Sequence, residues 1–119
     1  CDECKKESKP SEDLIKIIEE NLSKLDKKIL DKYKIDFNNL VIYHPVGCNK
    51  CNNKGYTGRI GIFEVVIITD EMENAIYEGK TETELEKLLP KQSFINLRQD
   101  GIIKALLGYV TLEEILKIT

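Results

Sequence analysis

Four cysteines in two Cys-x-x-Cys pairs constrain this chain more than any other feature. Cys1-Asp2-Glu3-Cys4 opens it, and Cys48-Asn49-Lys50-Cys51 lies near its middle. Four thiolates suit tetrahedral zinc, with Zn–S about 2.3 Å. The two-residue spacing lets both sulfurs of a pair meet one ion while backbone N–H groups point at them. Such an ion would tie the front of the chain to its middle and close a long loop, shaping the whole N-terminal half. Cys1, Cys4, Cys48 and Cys51 leave no open coordination position, so the expected role is structural, with one zinc per chain. Sites of this kind contribute on the order of 10 kcal/mol to folding, comparable to the whole stability of a small domain. Lys5, Lys6, Lys50 and Lys54 flank the pairs and are expected to offset part of the thiolate charge. Iron fits the same four thiolates, and spacing does not separate it from zinc. Two disulfides would need an oxidising compartment, to which nothing in the sequence points. A dithiol redox pair would need a thioredoxin-like surround, which is absent.

A chain of 119 residues is one domain or two small ones, with a modest core that a staple would help. Its net charge of −3, pI near 5.3 and 7% aromatics give no electrostatic footprint for nucleic acid or anionic lipid. No apolar run is long enough to span a bilayer, and no signal-peptide pattern is present. The first residue is Cys1 and the sole methionine is Met72. A natural chain rarely starts on a metal ligand. The expectation is therefore a C-terminal piece of something longer, or a chain trimmed at the site.

In chain order, Cys1 to Lys9 reads as the first pair plus a polar linker. Pro10-Ser11-Glu12-Asp13 signals a helix start. Leu14, Ile17, Ile18, Leu22 and Leu25 follow at helical spacing, with a shorter stripe at Ile29, Leu30 and Tyr33 that is either a continuation or a separate turn. Leu40 to Tyr43 is a short strand candidate, ended by His44-Pro45. From about Arg59 to Thr69 the residues predict a strand, and Ile60–Ile68 has the pattern of one buried on both faces of a larger sheet. Thr69-Asp70-Glu71 caps a helix closed by Gly79. Thr81-x-x-Glu84 is a capping box for a helix carrying Leu85, Leu88 and Leu89, stopped by Pro90. Ile95 to Leu107 predicts another helix, with a close approach or kink at Gly101. Thr111-x-x-Glu114 opens the last, with a second capping box.

Outside the cysteines the chemistry is sparse. His44 lies four residues before Cys48, so ligation is conceivable, but with four cysteines available a turn or surface role is the better reading. Gly55, Gly58 and Gly61 precede a predicted strand, not a helix, which argues against a phosphate cradle. No Walker A sequence is present. Arg59 and Lys104 are candidates for anion or carboxylate contacts, or simply solvated. Glu64 is either a paired acid or a contact with a missing partner.

The order Cys-x-x-Cys, a long insertion, Gly47-Cys48-x-x-Cys51-x-x-x-Gly55-Tyr56-x-Gly58-Arg59-x-Gly61-Ile62-x-Glu64, Asp100-Gly101-x-x-Lys104, Gly108 and Thr111-x-x-Glu114 resembles one family. It is similar to the C-terminal end of the type II secretion and type IV pilus assembly ATPases. The resemblance covers nearly the whole chain. It implies a parent with a RecA-like ATPase core that binds ATP and Mg²⁺, acting as a hexamer at the cytoplasmic face of the bacterial inner membrane through a membrane platform protein. It implies a tetracysteine zinc module, after which the chain returns to the core sheet and ends in a helical subdomain. The positions that would bind nucleotide have no counterpart here. Only Cys1, Cys4, Cys48 and Cys51 carry over, and the lysine-rich insertion has no specific match.

The expectation is an α+β, predominantly helical chain: a zinc module over 1–58, then a strand and helical subdomain over 59–119. The expected role is structural and protein-binding, without ATP hydrolysis by this chain alone, catalytic residues or nucleic-acid partner, and without direct insertion into the membrane. The alternative is a free-standing zinc-ribbon-like module that binds protein or nucleic acid.

Overall fold

The computed structural model describes residues 1–90 and 93–119. Two short strands, β1 (Lys6–Ser8) and β2 (Ile42–His44), pair antiparallel with Lys6 opposite His44 and Ser8 opposite Ile42. β2 lies two residues later at its start than the predicted strand and takes in His44. β1 falls in the stretch predicted as linker. Lys-Glu-Ser has no strand signature of its own; its pairing with β2 defines it, and that pairing is long-range.

Helix α1 (Glu12–Leu22) begins as expected: the Ser11 side chain accepts from the Leu14 N–H, and Glu12 and Asp13 occupy the first turn. It buries Ile18 and Leu22. The stripe at Ile29 to Tyr33 is a separate helix, α2 (Lys27–Lys32), with Asp26 as its N-cap and Lys34 left-handed just beyond it (φ 55°). Helix α3 (Asp70–Tyr77) is capped by Thr69 and followed by Gly79 at φ 73°. In α4 (Glu82–Glu86) the Thr81/Glu84 capping box forms as predicted, but the helix stops before Leu88 and Leu89. Helix α5 (Leu97–Leu106) is entered through an Asn96/Gln99 capping box. Helix α6 (Leu112–Ile118) has only half of the expected box: Thr111 accepts from Glu114 N–H, while the Glu114 carboxylate pairs with Lys117 at 3.2 Å.

The core is built from α1, α5, α6 and the stretch around β2: Ile18, Leu22, Leu25, Leu40, Ile42, Ile102, Ile103, Ala105, Leu112 and Ile115. Gly101 is where α5 and α6 approach closely. A Cβ there would meet Ile115 Cγ2 at 2.6 Å, so the helix accepts the propensity cost of glycine to let α6 in. None of these core residues comes from α3 or α4, of which only Met72 is buried.

The predicted strand over residues 59–69 does not form. None of these residues is paired in a sheet, although the chain neither turns nor bends there. Val65 is 74% exposed and Ile67 82%. The composition asks for a strand buried on both faces, and among the described residues no strand pairs with it. The outline agrees: the radius of gyration is 17.1 Å, where a compact chain of this length has about 13.5 Å. The accessible surface, 8634 Å², exceeds that of a typical monomer of this mass by roughly 2,000 Å².

Candidate metal centre

The fold brings all four cysteines together. Their sulfurs all lie within 4.8 Å of one another. Cys1 Sγ and Cys48 Sγ are 3.8 Å apart, as are Cys4 Sγ and Cys51 Sγ, and Cys48 Sγ and Cys51 Sγ are 3.7 Å apart. A regular tetrahedron around an ion at about 2.3 Å has sulfur–sulfur edges of about 3.8 Å. A disulfide needs about 2.05 Å, and all four cysteines are free thiols. The spacing thus fits one ion at the centre and does not fit two disulfides.

Local backbone chemistry sets this spacing. The Cys1 carbonyl accepts from Cys4 and Lys5 N–H, closing a tight turn. Cys48 leads into a 3₁₀ turn (Asn49–Cys51), and the chain leaves it through Asn52 and Asn53, both left-handed. Gly47 (φ 107°) and Gly55 (φ 81°) flank the second pair, and neither has room for a side chain. A Cβ on Gly47 would sit 2.8 Å from Asn53 O, and one on Gly55 would sit 2.4 Å from Pro45 Cβ. The two halves are joined directly as well, since the Cys1 backbone nitrogen donates to Gly55 O at 2.8 Å.

Backbone N–H groups point at the sulfurs. Gly47 N–H donates to Cys4 Sγ at 3.3 Å, and Cys48 and Gly55 N–H each donate to Cys51 Sγ at 3.2 Å. Burial pushes the Cys51 thiol up, but those two donors and the neighbouring thiols of Cys48 and Cys4 outweigh it and bring it down to about 7. At Cys48 the Cys51 N–H pulls downward, yet burial and the adjacent Cys51 and Cys4 thiols win, and this thiol is pushed up. Four crowded thiols cannot all ionise alone; a central cation removes that conflict. The donor set therefore suits a thiolate-binding metal.

Two of the four flanking lysines pair with carboxylates. Lys5 Nζ holds Asp2 at 2.7 Å and Gly108 O at 3.1 Å and lies over the Tyr43 ring; Lys50 holds Glu3 at 3.1 Å. Each thus meets a carboxylate from within the first knuckle. His44 is neither in a turn nor on the open surface: it ends β2, half-buried, and its Nε2 bonds Ser8 Oγ at 2.6 Å across the β1–β2 pair. Lys104 makes the carboxylate contact that the sequence offers, pairing with Asp100 at 2.6 Å. Glu64 accepts from Leu97 N–H at 2.8 Å, capping α5. Arg59 is exposed. The roles of Asp100 and Glu64 escaped sequence reasoning, because both depend on a contact made more than thirty residues away; the i, i+4 spacing of Asp100 and Lys104 was the available signal.

A closed cluster of four thiols on two tight turns, beside a small helical core, forms a tetracysteine module with the donor set to hold a metal ion. Residues 1–117 match the family described as Type II/IV secretion system protein, and the chain belongs to that family. It is 44% identical over 78 residues to a type II secretion system protein E of Dickeya dadantii, which covers 66% of this chain and 16% of that protein. It is 34% identical over 116 residues to a type IV pilus assembly ATPase PilB of Thermus thermophilus, covering 98% of this chain and 12% of the relative. A type II secretion system ATPase E of Vibrio cholerae is 34% identical over 96 residues, 81% of this chain and 18% of that protein. The chain thus spans less than a fifth of the length of these relatives. Among the described residues no helix is long and apolar enough to cross a membrane.

Proposed function

We propose that this chain is the zinc-binding C-terminal part of a type II secretion or type IV pilus assembly ATPase, with a structural and protein-binding role. Cys1, Cys4, Cys48 and Cys51 hold one structural zinc, and residues 1–58 form the module that it ties. Residues 59–119 form the segment and helical subdomain that rejoin an ATPase core lying outside this chain, where ATP and Mg²⁺ bind. The partners are that core, neighbouring subunits of a hexamer and, through them, an inner-membrane platform at the cytoplasmic face. The clustering of all four sulfurs within 4.8 Å of one another, three of the pairs at 3.7–3.8 Å, is the observation that carries this reading.

The excess surface supports the second half. Roughly 2,000 Å² more than a compact monomer exposes is ample for a standard contact, which takes about 800 Å² from each partner. A free-standing module would have little reason to leave Val65–Ile68 bare. The test is ATP turnover by the purified 119-residue chain. The reading predicts none above background, and clear turnover abolished by a Cys51→Ser substitution would overturn it.

A further inference from the structure

Residues Gly61 to Glu64 form neither turn nor bend, and α5 holds them through side chains. Asp100 Oδ2 accepts from Phe63 N–H at 2.8 Å, and Lys104 Nζ donates to Gly61 O at 2.8 Å. The two side chains bond each other at 2.6 Å, and both are about four-fifths buried. Lys104 also stands over the Phe63 ring, 4.9 Å from its centroid. In an extended chain the C=O of one residue and the N–H two residues later face the same edge. Gly61 O and Phe63 N–H are thus the groups that a neighbouring strand would take on that edge.

We infer that Asp100 and Lys104 form an edge cap: they occupy one hydrogen-bonding edge of the Gly61–Phe63 stretch in place of a strand, leaving only the other edge to be joined. That edge is offered by Ile62, Glu64 and Val66. The partner that fits is a β-strand, supplied by the absent core; this part rests on the function proposed above. The device decides which edge is joined and where pairing on the blocked edge can begin, beyond Phe63. It also protects the chain. A strand with both edges open propagates pairing from copy to copy, whereas one with a single open edge stops at a pair. The segment needs such protection because Phe63, Val65 and Ile67 are apolar and exposed.

Two measurements on the intact 119-residue chain test this. Amide hydrogen exchange should show Phe63 protected about tenfold or more relative to Ile62 and Glu64, as one bond to a charged acceptor provides. The Asp100→Ala, Lys104→Met double variant should lose that protection while amides of α6 keep theirs, and should sediment as species larger than dimers at concentrations where the parent chain does not. Equal exchange at residues 62, 63 and 64 in the unsubstituted chain overturns the cap, whether or not the double variant folds. Unchanged sedimentation of a folded double variant overturns its protective role. Neither readout involves the ATPase core, so a wrong family role would leave both results standing.

Discussion

Gly55 and Ile67 lie on one short stretch of chain and live in opposite surroundings. Around Gly55, main-chain groups are engaged: its N–H meets Cys51 Sγ, its C=O meets the Cys1 nitrogen, and its missing side chain makes room for Pro45. Ile67 has no sheet partner and stands in the open. The first environment is made entirely by contacts within this chain. The second has the residues for burial but not the neighbour. A protein can thus carry, side by side, a region that completes itself and a region written for another surface, and the boundary falls just past Glu64.

The largest expected break in this contrast is metal removal. Chelation under reducing conditions should lower the melting temperature by at least about 10 °C, since it removes the tie on which the N-terminal half depends. Exchange at α3 amides should barely change, because no α3 residue joins the main core. Equal loosening of both regions would mean that the tie is not local. Next comes a paired substitution. Ile102→Ala should cost about 2–4 kcal/mol in urea unfolding, because Ile102 is fully buried between α5 and its neighbours. Ile67→Ser should change stability by less than about 0.5 kcal/mol and should reduce self-association. A large cost at Ile67 would show that the segment is already packed.

How much of this was legible follows from where each signal resides. The cysteine pairs, the caps at Ser11, Thr69 and Thr81, and the demand of Gly101 for a close neighbour are written within a few residues, and the structure shows all of them. The strand over 59–69 was misjudged because composition states what a segment needs, not whether its partner is present. β1 was missed because Lys-Glu-Ser becomes a strand only by pairing with residues 42–44. The pairing of Lys5 with Asp2 and of Lys50 with Glu3 is not legible from proximity to sulfur alone. The Asp100–Phe63 bond joins residues too far apart for any local pattern to report.

Smaller effects sharpen the same boundary. Gly101→Val should cost about 1–3 kcal/mol by driving a side chain into Ile115, again read from urea unfolding. The smallest is a pH effect confined to the outer helices. The Thr81 N–H and then its hydroxyl hold the Glu84 carboxyl below its ordinary value of 4.5. A lowered folded-state value means that the capping contribution is present above about pH 4.5 and lost as pH falls through the folded pKa. Helical chemical shifts over Glu82–Glu86 should fade in that window while those of α5 persist; simultaneous loss would show that α4 and the core melt as one unit.

The central claim is that four thiolates close on a single zinc, and metal content tests it most directly. The account predicts about one zinc per chain in reduced, unchelated protein, colourless, falling well below half in the Cys51→Ser variant. A zinc content near zero, or visible absorption with stoichiometric iron, would contradict it.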